Sequence, residues 1–121
     1  MKVIRLSKTE ATVENRPLFT GGTVTKQIIV GEDMGQGFNS VMINFAPKAR
    51  NKFHHHTCDQ ILVVTEGKGI IADEKKEIAL SAGDIVFIPA GEKHWHGATK
   101  DSSFSHISVQ TKGCQTTQTE E

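Results

Sequence analysis

The chain lacks a long hydrophobic run: none of its apolar stretches is longer than Ile61–Val64. A membrane-spanning helix needs roughly 20 apolar residues, so none is predicted. The chain also lacks an excess of either charge, because 14 basic and 14 acidic residues balance. Partners that are held by a basic field, such as nucleic acids and membrane surfaces, are therefore not expected. The stretch MKVIRLSKTE has charges every few residues and no signal-peptide core, so we expect a cytoplasmic location.

Cysteine and apolar residues are also scarce. The two cysteines, Cys58 and Cys114, do not have the spacing of a disulfide framework, and in a reducing compartment we expect them to be free thiols. Apolar residues make up 36% of the chain, which indicates a structure with much turn and surface. The length suits one domain with a modest core.

Short segments rich in β-branched or alternating residues dominate the middle of the chain, and turn sequences such as EGKG and SAGD separate them. No stretch of about a dozen residues shows the apolar i, i+3, i+4, i+7 pattern of an amphipathic helix as clearly as these segments show strands. The predicted strands are Thr23–Val30, Ser40–Phe45, Gln60–Gly67, Gly69–Ala72, Glu77–Leu80, Asp84–Pro89 and Phe104–Gln110. Many short strands in one small chain predict an all-β sandwich or barrel. We expect one β-domain with N-terminal strands over residues 1–110, and a flexible C-terminal tail over residues 111–121, because TKGCQTTQTEE is almost without apolar residues.

The six histidines lie in only three places: 54–56, 94 and 96, and 106. The triple histidine is internal and precedes an apolar strand, which excludes a terminal purification tag. Alternate side chains of a strand share a face, so His54 and His56 point the same way and His55 points outward. Gln60 lies at an even offset and can return to the inner face. Two imidazoles at positions i and i+2 of a strand, with a third from another part of the chain, can bind one metal ion. They leave some of its coordination positions open, as catalytic sites do.

Two spacings carry a family resemblance. The pattern HxHxxxQ that starts at His54, with Gly67 after it, resembles the first cupin motif, in which Glu usually stands where this chain has Gln60. The pattern GxxxxxPxGxxH that ends at His94 matches the second cupin motif. The resemblance implies a double-stranded β-helix, or jelly-roll, barrel. It also implies a metal bound by His54, His56, Gln60 and His94. The alternative for Gln60 is a hydrogen bond to a ligand instead of ligation.

A narrower resemblance rests on FAPKARNKFHHHTCDQILVVTEG, PAGEKHWHGA and SHISVQ. These stretches are similar to the small manganese cupins that include bacterial hydroxynitrile lyases, in which three His and one Gln bind the metal. The resemblance implies that His106 and Gln110 face a substrate, and that Val41 and Ile43 line its pocket. It also implies a homodimer, because cupins of this size usually pair.

The neutral amide of Gln60 has electrostatic consequences if it is a ligand. It neutralises no charge, so a divalent ion keeps close to its full charge. A bound water should then be more acidic, anions should bind better, and metal affinity should be lower than with Glu. Oxygen and nitrogen donors suit Mn, Fe, Ni, Co or Zn, among which the resemblance favours Mn.

Three functions remain open from the sequence. The first is a metal-dependent enzyme on a small organic substrate, of lyase, isomerase or decarboxylase type, in which His106 moves a proton. The second is a redox cupin of dioxygenase type, and the third is a non-catalytic binder of a small ligand. The alternative for His106 is a buried histidine hydrogen-bonded to a neighbour. We expect His96 to orient a metal ligand rather than to ligate.

Overall fold

The computed structural model describes all 121 residues and is built from twelve β-strands and one 3-10 turn, Leu6–Lys8. None of its helical segments is long and apolar enough to cross a membrane. The strands are β1 (Thr12–Val13), β2 (Phe19–Thr20), β3 (Val24–Val30), β4 (Phe38–Phe45), β5 (Arg50–Asn51), β6 (His54–His56), β7 (Gln60–Ala72), β8 (Glu77–Ser81), β9 (Ile85–Ile88), β10 (Trp95–Ala98), β11 (Phe104–Thr111) and β12 (Thr116–Gln118). The all-β prediction is confirmed.

Ten strands form one curled sheet in the order β1-β3-β4-β11-β7-β10-β5-β2, and β8 and β9 also pair with β7. Strands β6 and β12 form a separate two-stranded sheet. The interior has two parts. Apolar side chains such as Phe45, Leu62 and Phe104 fill one part, and the other holds buried polar residues, among them five of the six histidines. A small chain that buries this many polar groups must satisfy them with one another or with a ligand.

Strand β7 is continuous where the sequence predicted two strands separated by an EGKG turn. Gly67 does not end the strand but bends it: its φ is +76°, and the register with β11 shifts between Ser105 and His106. A Cβ at this position would overlap the carbonyl oxygen of Ser103. Before the bend β7 pairs with β9 and β11, and after it with β8 and β10. One strand therefore connects both walls of the barrel.

The C-terminal segment is attached to the barrel, which differs from the flexible tail expected from its composition. Strand β12 pairs antiparallel with β6, so that Thr116 lies opposite His56 and Gln118 lies opposite His54. Glu120 accepts a hydrogen bond from the Phe53 amide and forms an ion pair with Arg50 at 2.6 Å. Backbone and side-chain hydrogen bonds fix this segment, and an apolar pattern is not needed for them.

The expectation of two free thiols is wrong. Cys58 and Cys114 form a disulfide, with a Cα–Cα distance of 5.5 Å, although they are 56 residues apart in the sequence. The bond joins the loop after β6 to the segment before β12. The pairing of these two strands brings the cysteines together, and their spacing in the sequence does not reveal it.

The bend in β7 predicts a difference between two glycine variants. We expect Gly83→Ala to lower the free energy of unfolding by about 1 kcal/mol, because its φ is +96° but nothing lies within 4 Å of the added Cβ. Gly67→Ala has the same conformational cost and also overlaps Ser103, so we expect a loss of about 3 kcal/mol. Urea unfolding monitored by fluorescence measures both. Equal losses would show that the contact at Gly67 does not constrain the strand.

Candidate metal centre

Three histidines converge at the polar end of the barrel. In β6 the side chains of His54 and His56 are buried, and that of His55, on the other face, is half-buried. His94 comes directly before β10, and two reciprocal backbone hydrogen bonds of 3.0 Å link it to His54. One ring nitrogen from each of His54, His56 and His94 lies within 4.8 Å of the others. This spacing suits three ligands of one metal ion.

Hydrogen bonds at the opposite ring nitrogens orient these imidazoles. The Nδ1 atoms of His54 and His94 lie 2.6 and 2.8 Å from the carbonyl oxygens of Lys52 and Glu92. A carbonyl only accepts, so Nδ1 carries the proton in both rings and Nε2 keeps its lone pair. His56 Nδ1 lies 2.8 Å from the hydroxyl of Thr116. The Nε2 atoms of His56 and His94 are buried and have no partner in the protein.

Gln60 presents a fourth donor. Its Nε2 donates a hydrogen bond of 2.8 Å to the Ser108 hydroxyl, and this contact fixes which way the amide points. Its Oε1 is buried without a partner. An amide oxygen that is left unpaired beside unprotonated imidazoles is the arrangement expected of a metal ligand.

Burial keeps the histidines neutral. Desolvation, with the neighbouring His94 as a further cause, lowers the pKa of His54 to about 3 and that of His56 to about 4. Desolvation also lowers the pKa of His94 itself. Neutral imidazole is the form that binds metals. Three such nitrogens and an amide oxygen, without thiolate or carboxylate, fit a divalent transition metal ion.

His96 and His106 form a second, linked histidine pair. Their ring nitrogens are 3.1 Å apart, and the other nitrogen of His96, Nε2, lies 3.1 Å from the Asn51 amide nitrogen. Asn51 Oδ1 accepts the backbone N–H of His96, which places the Asn51 NH₂ group toward the ring. That His96 orients a metal ligand stays a prediction. Its hydrogen bonds go to Asn51 and His106, and it contacts His94 only by ring stacking.

The hydrogen bonds also determine where the protons of this pair lie. Since Asn51 donates to His96 Nε2, neutral His96 carries its proton on Nδ1 and donates it to His106 Nε2. Neutral His106 then carries its proton on Nδ1, which is buried and has no partner in the protein. Burial lowers the pKa of His106 to about 3, so the ring is neutral at physiological pH.

A cavity of about 100 Å³ adjoins both histidine groups. The sequence-predicted residues Val41, Ile43, His106 and Gln110 all line it, together with His54, His56, Gln60 and His96. His106, Ser108 and Gln110 alternate along β11 and therefore share its inner face. The Nε2 of Gln110 is buried and has no protein partner. The cavity thus has a polar wall with unused hydrogen-bonding groups.

Several lining residues were missed from the sequence. Ser108 could have been found, because it alternates with His106 and Gln110. Asn51 and Thr116 carry no local signal, since their contacts lie 45 and 60 residues away.

Arg16 is the one lining residue with a formal charge, and Glu14 binds its guanidinium at 2.7 Å. Lys26 binds the other Glu14 oxygen at 2.9 Å.

Known proteins resemble this chain in sequence. It is 37% identical over 71 residues to an (R)-mandelonitrile lyase from Granulicella tundricola. The aligned region is 58% of this chain and 54% of that protein. It is 31% identical over 92 residues to an acireductone dioxygenase from Sulfurihydrogenibium sp.. The aligned region is 73% of this chain and 49% of that protein. The chain thus spans about half the length of these curated relatives.

Solved structures resemble it in fold. A cupin-like protein from Thermotoga maritima superposes with a TM-score of 0.86 at 30% identity, over 98% of this chain and 90% of that one. A polyketide cyclase from Streptomyces resistomycificus superposes with a TM-score of 0.82 at 18% identity, over 92% of this chain and 79% of that one. At this identity the similarity is evidence for the fold and not for a shared function. Residues 41–109 match the cupin domain, which is more than half of the sequence. With its curled β-barrel and two histidine motifs, the chain belongs to the cupin family.

Proposed function

We propose that this protein is a metal-dependent enzyme that acts on a small organic substrate by lyase, isomerase or decarboxylase chemistry. The observation that carries the proposal is the set of buried, unpaired donor atoms on His56, His94 and Gln60, beside a cavity that His106 also lines. A structural metal site would have no need of an adjoining cavity with unused polar groups.

The metal ligands in this proposal are His54, His56, Gln60 and His94, with one divalent ion per chain. Manganese is favoured by resemblance, and Fe, Ni, Co and Zn suit the same donors. When bound, the ion would supply Lewis-acid activation of a substrate hydroxyl or carbonyl oxygen. All four donors are neutral, so the protein would not offset its charge.

His106 is the proposed catalytic residue, and Gln110, Val41 and Ile43 are the proposed substrate contacts. The hydrogen bonds from Asn51 through His96 leave His106 with a proton on Nδ1 and no lone pair there. We therefore propose that His106 donates a hydrogen bond to a substrate oxygen or leaving group. The proton movement predicted from the sequence would make His106 a general base at Nδ1 only in the other tautomer, which the Asn51 amide disfavours.

A dioxygenase is the second candidate, because several curated relatives of this chain are named acireductone dioxygenase. A homodimer remains the proposed assembly. Exposed apolar side chains on neighbouring strands, Ile61 of β7 and Ile85 and Phe87 of β9, support it. A non-catalytic binder is the alternative if no metal binds.

The substrate class we propose is an anion, or a molecule that becomes one during the reaction. Arg16 is the only formally charged side chain that lines the cavity, and no carboxylate lines it. The Glu14 contact occupies only part of the guanidinium, through Nε and one terminal nitrogen. The remaining donors can bind a carboxylate or an enolate.

Metal content tests the proposed ligands. We expect untagged wild-type protein to carry about one divalent ion per chain by elemental analysis. We expect His94→Ala to lose it, because one of three nitrogen donors is removed, and Gln60→Ala to retain less than the wild type. His55→Ala is the matched control, since it removes a histidine of the same strand from the opposite face. Wild-type protein that is empty and cannot be reconstituted would overturn both enzyme proposals and leave ligand binding.

Two variants of His106 test its role. The amide nitrogen of Asn can replace Nδ1–H, so His106→Asn should keep much of the activity, and His106→Ala should lose about 100-fold in kcat. If His106 instead acted as a general base, both variants would lose activity to the same extent. Cyanide release from mandelonitrile and oxygen uptake with an acireductone separate the two candidate reactions. Because burial lowers the pKa of His106 to about 3, its ionisation should add no limb to the pH–rate profile near neutrality.

Anion binding tests the substrate class. We expect Arg16→Gln to weaken the binding of oxalate to the metal-loaded protein roughly tenfold, because charged hydrogen bonds to the anion are lost. Lys26→Gln is the control. It removes the other cation bound to Glu14, but from outside the cavity lining, and should have much less effect. Titration calorimetry measures both, and equal losses would contradict a specific role of Arg16.

A further inference from the structure

Of the three clustered histidines, His56 alone depends on a distant segment for its orientation. The Nδ1 atoms of His54 and His94 bind backbone carbonyls two residues away in the sequence. His56 Nδ1 instead contacts the hydroxyl of Thr116, which is 60 residues away in β12. The orientation of this ring is therefore only as secure as the attachment of β12.

Strand β12 is held without an apolar anchor. All three of its residues are exposed, so burial of side chains contributes little to its attachment. The disulfide from Cys58 reaches Cys114, two residues before Thr116. Next to it, Thr57 and Gln115 exchange hydrogen bonds of 3.0 and 2.9 Å. The covalent bond thus lies directly between the ligand strand and the residue that orients the ligand.

We propose that Thr116 is a positioning residue for His56, and that the Cys58–Cys114 disulfide is a redox-sensitive clamp that holds it in place. Reduction of the disulfide then loosens β12, frees the His56 ring and lowers the affinity of the site for its metal. This inference rests on the proposed metal site. It gives the loop after β6 and the C-terminal segment a shared regulatory role.

The chemistry is thiol–disulfide exchange with a small thiol or dithiol. A thiolate of the reductant attacks one sulfur of the pair, the S–S bond breaks, and a mixed disulfide forms. A second thiol of the reductant then releases the protein sulfur. Two electrons and two protons pass to Cys58 and Cys114, and the reductant leaves as its own disulfide. Both cysteines are half-buried and the adjacent Thr57, Asp59 and Gly113 are exposed, so a small reductant can reach the bond.

The disulfide also bears on where the protein works. Thiols predominate in the cytoplasm that we expected from the sequence, and disulfides there are mostly transient or redox-sensing. A clamp that opens on reduction would reconcile such a location with the bonded pair. Strands β6 and β12 retain hydrogen bonds and the Arg50–Glu120 ion pair, so the segment can close again on oxidation.

The affinity for Mn²⁺, measured by competition with a chromogenic chelator, tests the clamp. Oxidised wild-type protein is compared with protein that has been reduced and then desalted under nitrogen. We expect reduction to weaken Mn²⁺ binding about tenfold. The double variant Cys58→Ser/Cys114→Ser should bind like the reduced protein in both conditions. Hydrogen exchange of the amides at residues 115–118 should become faster on reduction.

A pair of Thr116 variants separates positioning from general destabilisation. Thr116→Val removes the hydroxyl but keeps the β-branched shape and the disulfide, and should weaken Mn²⁺ binding about tenfold. Thr116→Ser keeps the hydroxyl and should bind nearly like the wild type. Equal Mn²⁺ affinity in the oxidised and reduced proteins would overturn the clamp and leave the proposed metal site standing. Absence of Mn²⁺ binding by the oxidised wild type would overturn both.

Discussion

The backbone bridge between His54 and His94 is the interaction on which the candidate site depends. Its two hydrogen bonds of 3.0 Å join the first histidine motif to the second and bring the two rings to a centroid distance of 4.3 Å. The chain then continues from His94 into β10, which pairs with the second half of β7. The first half of β7 begins with Gln60 and pairs with β11, which carries His106. One short bridge therefore aligns the strands that supply the proposed ligands and the proposed catalytic residue.

Burial gives these histidines their chemistry. Desolvation is the main cause that lowers the pKa of each of the five buried histidines, so the interior remains uncharged while it holds several titratable rings. His96 uses both ring nitrogens for protein hydrogen bonds, whereas each of the three histidines proposed as ligands uses only Nδ1 and keeps Nε2 free. A divalent ion in such a site would meet neutral donors only. The positive charge of Arg16 at the cavity would add to the preference for an anionic partner.

The side chains of the site are oriented by two kinds of hydrogen bond, one to nearby residues in the sequence and one to residues on other strands. His54 and His94 are oriented by carbonyl groups of their own loops, which form whenever the motif folds. His56, Gln60 and His106 are oriented by Thr116, Ser108 and His96 respectively, from other strands. The second group requires the complete barrel, the paired C-terminal strand and its disulfide. Metal affinity and reactivity should therefore be sensitive to parts of the chain that touch no metal.

The sequence by itself determined the predominance of strands, the inward pair His54 and His56, and the even offset that lets Gln60 return to their face, while the two motifs implied the role of His94 by their resemblance to cupins. These follow from local periodicity and from motif spacing, which are properties of neighbouring residues. Tertiary structure alone decided the Cys58–Cys114 disulfide, the attachment of β12, the path of β7 through Gly67, and the protonation of His106. Each of these depends on contacts between residues far apart in the chain. A hydrogen-bond partner 45 to 60 residues away leaves no periodic trace in the sequence, because only folding makes the two residues neighbours.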